Sequence, residues 1–176
     1  MKKVASLLLF AALVSCGSLR VSSDYDQKVD FSTYDSYAFF KPGIDKVEIS
    51  DLDKRRILNA LETALQSKGF EASEKPDLLI SFKTQAKENV NVHHNYPYYG
   101  WGWGWGWHPF GIYHQPYVST QTQGILYIDL IDAKTKHLIW QGKGVGVLQE
   151  GTVAKREARI REFVQEIINQ YPPGSN

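Results

Sequence analysis

The 176-residue chain has one cysteine, Cys16, and its basic and acidic side chains nearly cancel, leaving a formal net charge of +1. A single cysteine excludes an intrachain disulfide, and an exported chain would then carry a free thiol unless that thiol is modified. A nearly neutral chain offers no electrostatic basis for binding nucleic acid. We therefore expect neither a disulfide framework nor a nucleic-acid partner.

The apolar run Val4–Val14 is too short to cross a bilayer, since it has 11 residues and a membrane-spanning helix needs about 20. Lys2 and Lys3 precede it and small residues follow it, which is typical of a secretory signal. Residues 1–15 are therefore predicted to be a signal peptide. Its removal, with the two lysines, changes the net charge to −1.

The residues Leu13-Val14-Ser15-Cys16 resemble a bacterial lipobox, the motif that is cut and lipidated at its cysteine. Two or more acyl chains, such as palmitate, anchor a protein firmly. Residues 16–23 are then a lipidated cysteine and a short tether. Gly17-Ser18 lacks the aspartate that retains such proteins at the inner membrane, so the resemblance favours the outer membrane, facing the periplasm. The alternative is an ordinary signal peptide with a chance cysteine.

Residues 24–172 are predicted to form a single α+β domain. The strands are expected at Val21–Tyr25, Ser36–Phe40, Asp77–Thr84, Gly124–Ile131 and His137–Leu148, and the helices at residues 51–69 and 152–170. The fold class is a two-layer sandwich with two helices on one face of a sheet of about five strands. That sheet is mostly antiparallel, or mixed if the step through residues 51–69 is a parallel crossover.

Periodicity predicts which faces are buried. Ser50 caps the first helix, and alternation turns Tyr127 and Asp129 of the fourth strand outward. Gly142, Gly144 and Gly146 form a stripe against which a helix backbone can pack closely. The apolar stripes of the two helices are Ile57, Leu58, Leu61 and Leu65, and Ile160, Phe163, Val164, Ile167, Ile168 and Tyr171.

A series of short motifs runs along the chain: Asp24–Asp26, Asp30–Tyr34, Ser36–Phe39, Pro76–Ile80, Gly124–Leu130, Leu138–Gly142 and Tyr171–Pro173. This series resembles a bacterial lipoprotein family, domain of unknown function 4136 (DUF4136). Each motif is weak alone, but together they follow the family's order over nearly the whole mature chain. The resemblance implies an anchored envelope domain, often with a Tyr/Gly/Trp-rich insert, and it implies no reaction.

An aromatic insert occupies about residues 89–122. Within residues 96–117, ten of 22 residues are aromatic, five are glycine and none is charged. An extended backbone would place alternate residues on one face as a ladder of indole rings. The candidate contact residues for an envelope protein or a bilayer are Tyr98, Tyr99, Trp101, Trp103, Trp105 and Trp107. A glycan-stacking surface and a partly collapsed loop with no partner are the alternatives.

Four of the five histidines lie in or beside this insert: His93, His94, His108 and His114. Imidazole is a common metal ligand, but the spacing matches no compact metal motif. We predict no metal site and keep these four as candidates for an alternative metal-binding function. The acidic residues Asp24, Asp26, Asp30 and Asp35 are explained by turn capping rather than by calcium binding, because no EF-hand pattern surrounds them.

No catalytic motif is present: there is no Gly-x-Ser-x-Gly elbow and no P-loop. We therefore expect no enzyme activity and no cofactor. The chain is predicted to be a lipid-anchored envelope protein with a binding or structural role, whose insert is the contact surface. The oligomeric state is not predicted.

Overall fold

The computed structural model describes residues 19–93, 117–147 and 151–173, without the side chains of 87–93 and 117–122. Six strands and three helices lie in these residues. The strands are β1 (Arg20–Tyr25), β2 (Ser36–Phe39), β3 (Glu71–Ala72), β4 (Leu78–His93), β5 (Tyr117–Asp132) and β6 (Leu138–Val147). The helices are α1 (Lys41–Ile44), α2 (Asp51–Ser67) and α3 (Val153–Ile168), and Phe31–Thr33 forms a 3-10 turn.

The strands form one open sheet in the order β1-β6-β5-β4-β2-β3. The pairs β1–β6, β6–β5 and β5–β4 are antiparallel, whereas β4–β2 and β2–β3 are parallel. The predicted α+β class and the parallel crossover from β2 through α2 to β4 are confirmed. The sheet has six strands instead of about five, because the two-residue β3 carries no periodic signal. The short helix α1 was not predicted for the same reason.

The two long helices begin where the sequence predicts. The Ser50 hydroxyl accepts a hydrogen bond from the Asp53 backbone N–H at 3.2 Å, which caps α2. The Thr152 hydroxyl accepts one from the Lys155 N–H at 3.4 Å, which caps α3. After α2 the chain turns at Gly69, whose φ of +88° suits glycine.

Both long helices cover one face of the sheet, and the core lies between the helices and that face. The fully buried side chains come from both layers: Tyr37, Leu61, Leu65, Leu78, Ile80, Phe82, Ile128, Leu130, Trp140, Val164, Ile167 and Ile168. The predicted apolar stripes are confirmed, with Leu58 and Ile160 only partly buried. Burial of these side chains stabilises the fold by roughly 1.5–3 kcal/mol each before chain entropy is subtracted.

The glycine stripe of β6 lies directly under α3, as predicted. A Cβ atom on Gly144 would lie 2.9 Å from Ile167 Cδ1, and one on Gly146 would lie 2.7 Å from Arg159 Nη2. A Cβ on Gly142 would overlap both Ile167 and Trp140. Glycine is therefore required here because the helix packs against the bare strand backbone.

Strands β4 and β5 are much longer than predicted. β4 continues past Thr84 to His93, and β5 begins at Tyr117 rather than at Gly124. Gln123 pairs with Val147, the last residue of β6 that the structure describes. From Thr122 back to Tyr117, β5 pairs with Glu88–His93 of β4 and with no other described strand. We call this two-stranded extension, Glu88–His93 with Tyr117–Thr122, the arm.

Candidate functional site

The arm is the part of the sheet that joins directly to the remainder of the aromatic insert. Its ladder runs for six residue pairs, from Glu88↔Thr122 to His93↔Tyr117, which corresponds to about 20 Å of strand. The predicted insert of residues 89–122 is therefore paired strand at both ends. The residues between His93 and Tyr117 continue from the tip of the arm and lie outside the described residues.

The arm projects from the end of the sheet at which the described chain begins. Arg20 of β1 pairs with Val145, which pairs with Ile125, which pairs with Gln85. These four residues form one row across the sheet, three positions before the arm starts at Glu88. β1 begins four residues ahead of residue 24, where the domain was predicted to start, so only three residues separate Cys16 from β1.

The sequence-predicted site residues mostly lie outside the described parts of the chain. These are Cys16, Tyr98, Tyr99, Trp101, Trp103, Trp105, Trp107, His94, His108 and His114. His93 lies in the last pair of the arm, and its side chain is not described. The lipidation site, the contact surface, the histidine metal site and the glycan surface therefore remain predictions.

The described ranges contain neither a candidate metal-binding cluster nor a candidate membrane-spanning helix. Within residues 19–93, 117–147 and 151–173, no three His, Cys, Asp or Glu side chains are grouped so that they could hold a metal ion. In the same ranges, no helix has the length and apolar character needed to cross a membrane.

A groove of about 650 Å³ opens at the base of the arm, between the first turns of α2 and α3. Its floor is apolar and consists of Ile57, Leu126, Ile160 and Phe163. Strand residues just before the arm, including Ala86 and Gly124, close one side. Such a volume lies within the range of about 300–1,000 Å³ typical of small-molecule sites. Sequence reasoning missed this groove because its lining comes from four separate segments.

Arg159 is buried against the groove although arginine is rarely buried. Its Nη1 donates to Glu162 at 2.8 Å and its Nε donates to the Val147 carbonyl at 3.3 Å. The guanidinium carbon lies 4.9 Å from the centre of the Phe163 ring. These contacts compensate its charge within the protein. The signal in the sequence was Gly146, which leaves the space that the guanidinium occupies.

The rim of the groove carries charges of both signs. On the α3 side, Arg156 is largely exposed, with its Nη1 3.8 Å from Asp53 of α2. Asp53 also forms a closer pair with Arg56, at 2.7 Å. Glu48, which precedes α2, is also exposed and lines the groove. The groove thus combines an apolar floor with a basic and an acidic edge.

The face of the sheet opposite α2 and α3 contains a buried carboxylate. Asp129 was predicted to face outward; it lies on that face but is only 3% exposed. Lys83 Nζ lies 2.8 Å from its Oδ2, and Gln141 Nε2 donates to its Oδ1 at 2.6 Å. Gln141 pairs directly with Asp129 and Lys83 lies diagonally from it on β4, so long side chains cover the carboxylate where simple alternation predicts exposure.

A polar clamp holds the end of β4 and β5 opposite the arm. The Tyr34 hydroxyl donates to Asp132 Oδ2 at 2.8 Å, and the Thr135 backbone N–H donates to Oδ1 at 2.6 Å. The Thr135 N–H, followed by the Tyr34 and Thr135 hydroxyls, lowers the pKa of Asp132 to about 2. Burial, followed by the hydrogen bond to Asp132, raises the pKa of Tyr34 to about 12. The two shifts therefore follow from burial of Tyr34 and from the hydrogen bonds that the Asp132 carboxylate accepts.

The acidic residues near the N-terminus cap turns, as the sequence predicts. The Asp26 carboxylate accepts a hydrogen bond from the Lys28 N–H at 2.9 Å. The Asp30 carboxylate accepts from the Ser32 hydroxyl at 2.6 Å and the Ser32 N–H at 3.0 Å. The hydroxyl contact is the main cause of the lowered pKa of Asp30.

The family model for a domain of unknown function, DUF4136, matches residues 21–173. The chain belongs to the DUF4136 family. The resemblance expected from the sequence motifs is confirmed over nearly all of the described chain. The family match assigns no reaction to this DUF4136 domain. No curated protein matches the chain.

Solved structures similar to this DUF4136 domain include chains from three kinds of protein. A PDZ domain protein from Parabacteroides distasonis aligns with 16% identity and a TM-score of 0.55, covering 99% of this chain and 41% of that one. The PelC dodecamer from Paraburkholderia phytofirmans aligns with 9% identity and a TM-score of 0.46, covering 86% and 95%. A neuraminyllactose-binding hemagglutinin homologue from Helicobacter pylori aligns with 12% identity and a TM-score of 0.37, covering 80% of each chain.

The likeness to the PDZ domain protein concerns the fold. The chain spans about two fifths of the length of that protein, which is a larger molecule. At 16% identity and a TM-score of 0.55, this likeness supports the α+β assignment and transfers no binding property to the DUF4136 domain.

Proposed function

We propose that this DUF4136 protein is a non-catalytic, lipid-anchored envelope protein that uses the insert at the tip of its arm to contact the bilayer in which it is anchored. Cys16 provides the anchor at the periplasmic side of the outer membrane. The rest of the chain is a rigid α+β body that positions the arm. The arrangement of the arm relative to β1 supports this proposal more than any other observation.

The tether to Cys16 and the strand that leads to the tip of the arm both start from the row that contains Arg20 and Gln85. Cys16 precedes Arg20 by four residues, so it lies at most about 14 Å beyond that row. From Gln85 in the same row, β4 continues through the arm to His93, which is about 27 Å along the strand direction. The arm thus points to the anchored side and extends farther than the tether allows the bilayer to recede. The insert is consequently delivered to the membrane surface.

The composition of the insert suits that location. Tryptophan and tyrosine rings are enriched at the level of lipid headgroups, because their bodies are apolar and their N–H and O–H groups are polar. Residues 96–117 combine ten aromatic residues with no formal charge. A segment of this kind inserts into the headgroup region at no cost of burying charge.

Tryptophan quenching by brominated lipids tests the proposal. Four of the five tryptophans lie in the insert, and the fifth, Trp140, is fully buried in the core. We expect most of the tryptophan emission of the lipidated protein to be quenched in vesicles with brominated acyl chains. The remaining emission from Trp140 serves as an internal reference.

The matched control replaces Trp101, Trp103, Trp105 and Trp107 by alanine. This variant retains Trp140 alone and should show no bromine quenching. Emission of the unaltered protein that is equally bright in brominated and ordinary vesicles would refute contact between the insert and the bilayer.

A further inference from the structure

We propose that the groove at the base of the arm binds one acyl chain of a zwitterionic phospholipid. The inference rests on the proposed function, because the anchoring bilayer is the source of the ligand. Neither the family nor the similar structures assign this site. Its support comes from the floor, the rim and the position of the groove.

The floor of the groove selects an apolar, uncharged group. Ile57, Leu126, Ile160 and Phe163 line it, and Ile57, Leu126 and Phe163 are nearly fully buried. Arg159, the buried charge nearby, is already paired with Glu162 and the Val147 carbonyl. A charged ligand group placed on this floor would be desolvated without gaining a free partner, whereas an acyl chain gains by leaving water.

The rim of the groove matches a zwitterionic headgroup. Arg156 stands on the α3 side, and its pairing with Asp53 is loose at 3.8 Å, so its guanidinium can turn to a phosphate. Glu48 also lines the groove and is exposed, so its carboxylate can stabilise an ammonium group. A headgroup with both charges satisfies both edges, while a purely anionic one faces Glu48 without a counter-charge.

The position of the groove gives it access to lipid. Gln85 and Ile125 line it, and they belong to the row that also contains Arg20. The groove therefore opens at the end of the sheet that carries both the anchor and the arm. A phospholipid of the anchoring leaflet reaches it without crossing the periplasm.

Photocrosslinking from the lipid tests the proposal on the lipidated protein. The protein is reconstituted in vesicles of phosphatidylethanolamine with a diazirine in one acyl chain, irradiated, and digested for mass mapping. We expect adducts on the peptides that contain Ile160 and Leu126. The mass of each adduct identifies the attached lipid.

Ala86→Trp fills the groove, because Ala86 is exposed and lies on its wall. We expect it to lower the yield of groove adducts by at least about tenfold, since excluding a few methylene groups from the site already has that effect. Leu138→Trp is the matched control, as Leu138 is 50% exposed and lies at the opposite end of β6. It should leave the yield unchanged.

A second variant tests the rim without adding bulk. Glu48→Lys removes the acidic edge and should lower the adduct yield from phosphatidylethanolamine while raising that from anionic phosphatidylglycerol. Equal yields for wild type, Ala86→Trp and Glu48→Lys would overturn the proposal.

The distribution of adducts separates the two hypotheses. Adducts confined to peptides of residues 94–116 and of the N-terminus would overturn the groove proposal and leave the bilayer contact intact. Adducts in the groove with none in residues 94–116 would support the groove and contradict contact by the insert.

Discussion

Strands β4 and β5 form one continuous ladder whose two ends have very different surroundings. From Leu78↔Asp132 to Lys87↔Gln123, β6 lies beside β5, and β2 lies beside β4 at Leu78–Ile80. The inward side chains Ile80, Phe82 and Ile128 are fully buried under α2 and α3. In the arm the same strands keep their hydrogen bonds but have no other described strand beside them. Backbone pairing is the same in both regions, and packing is what distinguishes them.

This contrast teaches that the ladder serves two purposes. In the body it transmits the apolar pattern into a core that fixes the register. In the arm the ladder extends the two strands beyond the packed part of the sheet. An isolated two-stranded ribbon is only marginally stable, because it has no hydrophobic face to cover. The clamp at Asp132 marks the rigid end, and the His93↔Tyr117 pair marks the end that the bilayer is proposed to hold.

The largest effect is expected from Trp140→Ala in the body. Trp140 is fully buried and contacts Tyr171 edge-on, with ring centres 5.7 Å apart. Its removal leaves a cavity and should lower the free energy of unfolding by about 3–5 kcal/mol, measured by urea denaturation followed by circular dichroism. Its Nε1 has no hydrogen-bond partner among the described residues, so the loss reflects packing alone.

The control for this prediction is Leu138→Ala in the same strand. Leu138 is half exposed, and its truncation should change the free energy of unfolding by no more than about 0.5 kcal/mol. Similar losses for both variants would contradict the assignment of stability to the packed body.

Hydrogen exchange compares the two regions directly. We expect backbone amides of Val90–His93 to be protected at least about 100-fold less than the ladder amides of β4 and β5 in the body, since the arm opens without unfolding the core. Trp140→Ala should lower protection in the body and leave that in the arm unchanged. Vesicles should raise protection in the arm only. Equal protection in both regions would mean that the arm is no separate unit.

The smallest effect concerns the clamped end in acid. The pKa of Asp132 is about 2 in the folded protein, well below the usual range for an aspartate. Its contribution to stability is therefore complete above about pH 4 and is lost as the pH falls toward about 2. With allowance for solvent screening, that contribution is about 1 kcal/mol.

Acid titration of Asp132→Asn checks this sign. The variant should be less stable than the wild type at neutral pH by that amount and should lose less stability between about pH 4 and pH 2. An identical acid profile in the two proteins would show that the clamp does not stabilise the body.

The parts of the fold that were predicted are those in which local pattern and packing agree. The stripes of α2 and α3 and the glycines of β6 have strict spacing, and each proved to face the core. The arm was missed because the stretch from Gln85 to Asn91 is largely polar, and a strand with no core to face has no apolar alternation to reveal it. Tertiary pairing alone defines it.

The candidate site was predicted less completely, for physical reasons. The aromatic insert was recognised from composition. That the arm and the start of β1 lie at the same end of the sheet depends on the pairing of β1 with β6, which no local pattern encodes. Asp129 was placed on the correct face and its burial was missed, because Lys83 and Gln141 reach it only across neighbouring strands. The groove and Arg159 likewise depend on segments that are distant in sequence.

The pairing of β1 with β6 also bears on when the molecule can finish folding. Arg20 meets Val145 and Tyr25 meets Trp140, so the first strand to be synthesised has no partner until nearly the entire polypeptide has emerged. Loop-closure entropy disfavours so distant a contact until the rest is in place. The nascent chain consequently lacks its final edge pairing through most of its synthesis.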